Sequence, residues 1–327
     1  MAKSGLSIIV IGGLNTDIVA IGAKKLLKAG EHTYASELRI GAGGKSRNMA
    51  QMIATLVGKD KVAMVGKTSK DPYGFWKVPL VALKQAKVNT EYVKIASFKE
   101  SNQFPGIALI PVDTEGRNQI YVLPGITNSF LPKDIDDASE LFKSVAKNNG
   151  ILLVSLELPL QTAIYAIKKA NQMGIKVFFD PGGIDETENY SELLKQNIYL
   201  IKPNEHEAKI LTSIAVIDFD TAKKAATKLL GKGTENVLIT VGVNGGYFFN
   251  KIVGKHIPIP KIKSSSVKDE TGCGDQTMAA LCTALAEDKD ILEAINIGLL
   301  AGTLQFGKSG IVPITKKEIN KYLHNRL

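Results

Sequence analysis

The chain is poor in cysteine and arginine and has no long apolar run. Its 327 residues hold two cysteines, Cys273 and Cys282, with no CxxC pair and no histidine close by in sequence. Neither a disulfide framework nor a zinc site is indicated, and a reducing cytoplasm is the expected setting. The early apolar run, residues 6–11, is far below the ~18 residues of a membrane span, and the N-terminus carries no signal-peptide pattern, so no membrane association is expected. Only four of the 41 basic residues are arginine (Arg39, Arg47, Arg117 and Arg326), against 32 acidic residues. The net charge of +9 is therefore scattered lysine. No block of like charge has the length of a nucleic-acid-binding arm, so no nucleic-acid partner is expected; the balance favours an anionic ligand. No GxGxxG follows the first apolar strand, which counts against a dinucleotide-binding dehydrogenase. The composition, 44% hydrophobic with a mean hydropathy of +0.03, excludes a disordered chain. The length suits one large core with an appendage.

Continuous β-branched runs alternate with amphipathic segments. Residues 8–11, 62–65, 151–156, 177–179, 199–201 and 237–241 read as buried parallel strands. Residues 48–57, 74–85, 160–173, 221–230, 276–286 and 291–305 carry the 3.6-residue period of helices. The alternation predicts a doubly wound α/β fold, a mainly parallel sheet flanked by helices, with right-handed crossovers. Residues 18–40 and 93–122 instead alternate with period two, which predicts half-exposed strands in a small second sheet, a β lid over the core. The expected division is a core of 1–14, 41–92 and 124–327 and a lid of 15–40 and 93–123. No internal repeat interrupts it.

Three glycine-rich stretches carry the chemistry. Asp269-Glu270-Thr271-Gly272-Cys273-Gly274-Asp275 runs directly into a helical segment. Glycines let a ligand approach the backbone, and free N–H groups at a helix start attract phosphate. Asp275 at the mouth of that anion hole could take a proton from an attacking hydroxyl; a plain N-cap explains the same residue. The turn 41–48, Gly-Ala-Gly-Gly-Lys-Ser-Arg-Asn, again precedes a helix, and alone it fits a tight connection equally well. Asn15 and Asp17 follow the first strand at the carboxyl edge, where α/β folds bind ligands, although Asx turns would also place them there. Residues 302–309 match the Walker expression GxxxxGK[ST], but a helix precedes them where a P-loop needs a strand, so that reading is set aside.

Together these stretches resemble the ribokinase/PfkB family of carbohydrate and nucleoside kinases, from about Ile8 to Tyr322. Asn15-x-Asp17 resembles the family's sugar-hydroxyl motif, and Gly43-Gly44-Lys45 with Asn48 its first signature. Gly30-Glu31 and Pro124-Gly125 resemble the start and end of its lid. Glu157 matches its acidic position after a core strand. Asn204-Glu205-His206-Glu207, after Lys202-Pro203, resembles its NxxE element. Thr240, Gly242 and Gly245 resemble its nucleotide loop, and Gly272, Gly274 and Asp275 its anion hole and base. In the signature, Ser46 and Arg47 stand where family ribokinases usually carry a small Gly-Ala pair. Asn102-Gln103-Phe104 replaces a small Ser-Thr-Gly stretch in the lid, so a bulkier pocket rim is expected. Glu270 and Cys273 replace a usual threonine and a usual alanine or serine.

The resemblance implies a ribokinase-like fold and transfer of the ATP γ-phosphoryl group to a sugar hydroxyl. Asp275 would be the base, and the N–H groups of Gly272, Cys273 and Gly274 would hold the transferred charge. Asn15, Asp17, Gly43, Gly44, Lys45, Asn48 and Glu157 would bind the sugar. Arg47 would either meet an anionic or extended acceptor or point to solvent. Asn204, Thr240, Gly242 and Gly245 would bind the nucleotide. Asn204 and Glu207 would hold Mg2+ through water, and Asp269 and Thr271 match positions that bind an activating K+. A nucleoside or phosphosugar kinase, or a non-catalytic sugar or nucleotide sensor, are the alternatives. A homodimer joined through the lid is expected, because a small sheet cannot bury an apolar face alone.

Overall fold

Strands apolar on both faces must pair where both faces are covered. In the computed structural model, which describes residues 5–260, 262 and 268–323, Ile8–Ile11 (β1) is buried at every position. Asn15–Ala23 (β2) and Glu37–Gly43 (β3) follow, then Val62–Lys70 (β4), Val93–Ser97 (β5), Gly106–Asp113 (β6) and Tyr121–Leu123 (β7). The second half supplies Ile151–Ser155 (β8), Lys176–Asp180 (β9), Ile198–Ile201 (β10), Thr234–Thr240 (β11), Gly246–Asn250 (β12) and Gly254–Ile257 (β13).

Nine of these strands form the central sheet in the order β13-β12-β11-β10-β9-β8-β1-β4-β5. From β11 to β5 every pairing is parallel, and only the hairpin strands β12 and β13 run antiparallel. Lys45–Val57 (α1), Lys77–Gln85 (α2), Cys273–Ala286 (α3) and Ile291–Phe306 (α4) bury their apolar stripes with Val10, Leu153, Phe178 and Leu238 on one face. Ser139–Lys147, Leu160–Gln172 and Phe219–Leu230 cover the other face against Ile9, Leu152, Phe179 and Val237. Two cores on either side of one sheet make the fold doubly wound, as the alternating pattern predicts.

The remaining strands form a separate sheet, β3-β2-β6-β7. Directly paired residues share a face, so the pairs Asn15–Gly43, Asn15–Gly106 and Asp17–Ala108 put Asn15 and Asp17 on one side. The pairs Ile18–Ile40, Ala20–Leu38 and Leu109–Tyr121 make the other side apolar, and Leu38, Ile40, Leu109 and Tyr121 are exposed there.

Residues 93–97, read from their alternation as lid, pair with β4 as the edge strand of the central sheet. An edge strand is half-covered, and its periodicity cannot name the sheet it joins. Residues 41–43, assigned to the core, complete β3 in the second sheet. β12 and β13 were not anticipated. Of the expected core, residues 1–4, 261, 263–267 and 324–327 lie outside the described residues, Arg326 among them.

Candidate active site

The site is built where β1, β8, β9 and β10 release the chain at one sheet edge. Gly12 and Gly13 leave β1 without side chains because the neighbours leave no room. A Cβ at Gly12 would stand 2.2 Å from Ser46 Oγ, and one at Gly13 would stand 2.8 Å from Glu157 Oε2. Asn15 then opens β2, 5% exposed. Gly43 closes β3 beside Asp17, where a Cβ would stand 1.8 Å from Asp17 Oδ1. Gly44 turns the chain at φ 91° into α1, whose first residues are Lys45, Ser46, Arg47 and Asn48. The left-handed φ favours glycine, so the Gly43-Gly44 pair is a steric requirement of bringing lid, strand and helix together.

Asn48 and Asp275 meet across 227 positions of sequence: Asn48 Nδ2 donates to Asp275 Oδ2 at 2.8 Å. Lys45 Nζ lies 3.7 Å from Asp275 Oδ1, and the Lys45 backbone N–H donates to Glu157 Oε2 at 2.6 Å. Asp275, in turn 4% exposed, Asn48, Lys45 and Glu157 thus form one connected set. Burial pushes the Asp17 carboxyl up to about 6, with Arg47 opposing and the Asp275 charge adding. Burial likewise pushes Glu157 up to about 7 against the pull of Lys45. Lys45 is held above its ordinary value, first by Asp275 and then, against a burial penalty, by Asp180, Glu157 and Glu207. These acids surround the Lys45 ammonium group.

Gly272, at φ 75°, is the N-cap of α3 and offers no side chain to cap it. Asp275 therefore sits inside the first turn, and the plain N-cap explanation does not describe it. Of the three amides expected to face an anion, that of Cys273 donates to the Glu270 carbonyl at 3.2 Å, which closes the turn instead. The Cys273 thiol, pushed up to about 12 by burial, donates to the Asp269 carbonyl. Gly274 is exposed, and Lys202 Nζ lies 3.6 Å from where its Cβ would be. Lys202, just past β10, pairs at 2.9 Å with Asp180 at the end of β9. Burial opposes ionisation of Asp180, but Lys202 and Lys45 outweigh it and hold its carboxyl below the usual range. Sequence reasoning did not single out this pair, although charged residues directly after buried strands at a carboxyl edge are a readable signal.

Asn204 and Glu207 form a reciprocal cap on Glu205–Thr212: Asn204 Oδ1 accepts from the Glu207 N–H at 2.8 Å, and Glu207 Oε2 accepts from the Asn204 N–H at 2.9 Å. Burial and the Asp180 charge raise the Glu207 carboxyl. Thr240 bridges to Asn204, its N–H donating to the Pro203 carbonyl. Gly242, at φ 52°, is exposed, whereas Gly245 is buried against the Ile257 carbonyl, 2.2 Å from where its Cβ would be. Asp269 uses both carboxylate oxygens on backbone N–H groups of Thr271 and Gly310, at 2.8 Å each. Among the described residues no group of three or more His, Cys, Asp or Glu could hold a metal ion alone. Lys308, the lysine of the Walker-like stretch, follows α4 and pairs with Glu318 at 2.8 Å.

Arg47 and Ser46 do not form a pocket rim. Arg47 is 1% exposed and Ser46 is fully buried. The Arg47 guanidinium donates to the Ala42 and Gly43 carbonyls, to Asn48 Oδ1 and to Gln51 Oε1. Its donors are turned into the protein, so neither a solvent position nor a contact to an acceptor describes it. Ser46 Oγ donates to the Ile11 carbonyl and bonds Ser155 Oγ at 2.7 Å. Of the lid substitutions, Phe104 remains half-exposed beside Tyr73 and Phe98, and Gln103 accepts from the Ser129 hydroxyl.

A family model described as "pfkB family carbohydrate kinase" matches residues 6–317. The chain is 32% identical over 319 residues to a ribokinase of Haemophilus influenzae, covering 97% of this chain and 98% of that protein. A ribokinase of Mus musculus is 32% identical over 286 residues, 87% and 83% of the two chains. Among solved structures, that of Arabidopsis thaliana ribokinase complexed with ribose and ATP superimposes with a TM-score of 0.85 at 27% identity, over 98% of this chain and 99% of that one.

Proposed function

We propose that this chain, which belongs to the pfkB family of carbohydrate kinases, phosphorylates a free, uncharged pentose with ATP. It is a phosphotransferase acting on a sugar hydroxyl. The observation that carries the phosphoryl-transfer reading is the Asp275 carboxylate, joined to Asn48 at 2.8 Å beside the open first turn of α3. Asp275 accepts the proton of the hydroxyl as its oxygen bonds the γ-phosphorus and the bond to ADP breaks. Backbone N–H groups of the Gly272 and Gly274 turn and the positive end of α3 receive the charge on the transferred phosphoryl oxygens.

The charges around Asp17 favour a neutral acceptor. Arg47 is enclosed and makes four hydrogen bonds to protein groups, and Lys45 already faces Asp275, Asp180 and Glu157. A phosphosugar or carboxylate brought there would meet Asp17, Glu157 and Asp275 with the Lys45 charge already shared among acids, at a cost that a hydroxyl avoids. The curated ribokinases and the deoxyribokinases of two Salmonella strains, 28% identical over 90% of this chain, make ribose and deoxyribose the acceptors to test first. Mg2+ takes hard oxygen ligands and keeps waters, and Asn204 and Glu207 fit it: the burial and Asp180 charge that raise Glu207 are what a nearby cation would relieve. Bound there, it would neutralise phosphate charge. Asp269 and Thr271 also offer oxygens to a K+ ion, though Asp269 holds two amides already.

The exposed row Leu38, Ile40, Leu109 and Tyr121 supports a homodimer through the lid, testable by light scattering of wild type against Leu38→Lys. The function is tested by coupled ADP release over ribose, deoxyribose, hexoses, nucleosides and phosphosugars, with and without K+. Ribose or deoxyribose should give the highest kcat/KM; a nucleoside or phosphosugar leading by tenfold overturns the acceptor, and no turnover on any supports a sensor.

A further inference from the structure

Arg47 joins two parts of the molecule that the reaction needs in register. It springs from the first turn of α1 in the core, and its guanidinium reaches back over the end of β3 in the lid sheet. Nε donates to the Gly43 carbonyl at 3.2 Å, and the terminal nitrogens donate to the Ala42 carbonyl, Gln51 Oε1 and Asn48 Oδ1. The last contact decides an ambiguity. An asparagine amide has an accepting and a donating end, and only its NH2 end can donate to a carboxylate. With Oδ1 occupied by a cationic donor, Nδ2 is left facing Asp275 Oδ2 at 2.8 Å. An arginine can do this because its planar fork supplies five donors in fixed directions, whereas lysine offers one flexible ammonium.

We propose that Arg47 is a positioning residue for phosphoryl transfer, which clamps the end of lid strand β3 to helix α1 and fixes the Asn48 amide with its NH2 group on Asp275. The inference rests on the kinase reading above. The surroundings agree with it. Asp17 faces Arg47 from β2, Asp275 from α3 and Glu157 from the segment after β8, and Lys45 is the nearby cation on α1 itself. The Arg47 charge opposes the burial that raises Asp17, so the same side chain favours the ionised form of a sugar-facing carboxylate. Both effects depend on an enclosed guanidinium: water at the site would screen the charge and compete for the donors.

The test compares wild type, Arg47→Met and Arg47→Lys in ADP-release assays over a pH series, with thermal melts alongside. Arg47→Met removes charge and clamp. It should lower kcat by 10- to 100-fold, raise KM for the sugar and move the acid limb of kcat/KM to higher pH. Arg47→Lys keeps the charge and loses the fork. Its acid limb should stay near that of wild type while kcat still falls about 10-fold. If Arg47→Met does not fold, Arg47→Lys decides alone. Wild-type kcat with only a lowered melting temperature would make Arg47 a structural residue and overturn the proposal. One arm needs no turnover: a crystal structure of Arg47→Lys should have the Asn48 amide released from Asp275, and an unchanged 2.8 Å contact refutes the clamp. A wild-type enzyme inert on every acceptor would instead sink the kinase reading, leaving that crystallographic arm to judge Arg47.

Discussion

Replacing Asp275 by asparagine separates chemistry from architecture with the smallest change of shape. A positioned general base contributes about 10²- to 10⁴-fold, which at ~1.4 kcal/mol per decade is about 3 to 5 kcal/mol of barrier. The structural losses are smaller. Gly272, not Asp275, caps α3, so the substitution forfeits only the interaction of a first-turn carboxylate with the helix dipole, about 0.3 to 1 kcal/mol. The Asp275 end of the Lys45 ion pair is buried, but at 3.7 Å the contact is too long for a hydrogen bond, the lysine side chain is 38% exposed and Lys45 keeps Asp180, Glu157 and Glu207 as neighbours, so its loss costs about 1 kcal/mol. The new amide can still accept from Asn48 through its oxygen. Against these losses, the Asp275 charge adds to the burial that holds Asp17 and Glu157 up, and its removal eases both.

Asp275→Asn should therefore melt within about 4 °C of wild type and bind sugar and ATP with similar affinity, while turning over 10²- to 10⁴-fold more slowly. The assays are coupled ADP release, calorimetric titration of each substrate and a thermal melt on the same preparation. Turnover within threefold of wild type would refute the base assignment. A melting temperature lowered by more than about 10 °C would refute the claim that the residue is expendable to the fold.

Lys308→Ala should lose at most about 1 kcal/mol of stability, the worth of its part-exposed pair with Glu318, and keep turnover within about threefold; a loss beyond 10³-fold would mean the Walker-like stretch binds phosphate after all. Gly272→Ala puts a Cβ on a residue at φ 75°, 2.6 Å from the movable Ile311 Cδ1, so denaturant titration should register a loss of about 1 to 2 kcal/mol with reduced turnover; full stability would contradict the described turn. Because the fold raises the Glu157 carboxyl from 4.5 to about 7, the stability that Glu157 lends is complete below 4.5 and is lost as pH climbs through about 7. Glu157→Gln should accordingly match wild type in acid and exceed it by up to about 3 kcal/mol near pH 8, and a difference independent of pH would refute the shift.

The parallel core was legible because burial on both faces leaves an uninterrupted apolar signature, as in β1 and β8, each buried throughout. β5 was legible as a strand and not as part of the core. Its half-covered pattern is the same for the edge of a large sheet and the middle of a small one. β12 and β13 lacked even that signal, since Gly246–Asn250 and Gly254–Ile257 are short and pair only with each other and β11. The site was legible where glycines mark crowding: the demands of Gly43, Gly44 and Gly272 are local consequences of close approach.

The direction of a long side chain was not legible. Arg47 and Asn48 are neighbours about 100° apart on α1, so sequence alone lets one face the ligand and the other face water. What closes Arg47 in is β3, a lid strand that crosses the start of the helix and offers two carbonyls to the guanidinium. The electrostatics follow the same rule. Asp17, Glu157, Asp180 and Asp275 come from β2, the turn after β8, the end of β9 and α3, and each sets the proton affinity of Lys45 or of another member. A motif names such residues one at a time, and their charge states belong to the assembled cluster. Lys45 illustrates the consequence. As a signature residue it reads as a sugar ligand at the rim, yet its stem passes so close to Gly182 that a Cβ there would stand 2.4 Å from Lys45 Cδ. Its ammonium is thereby placed between Asp180, which pairs with Lys202, and Asp275, which accepts from Asn48. A cation there is shared by acids from separate elements, so its charge state and theirs are set together.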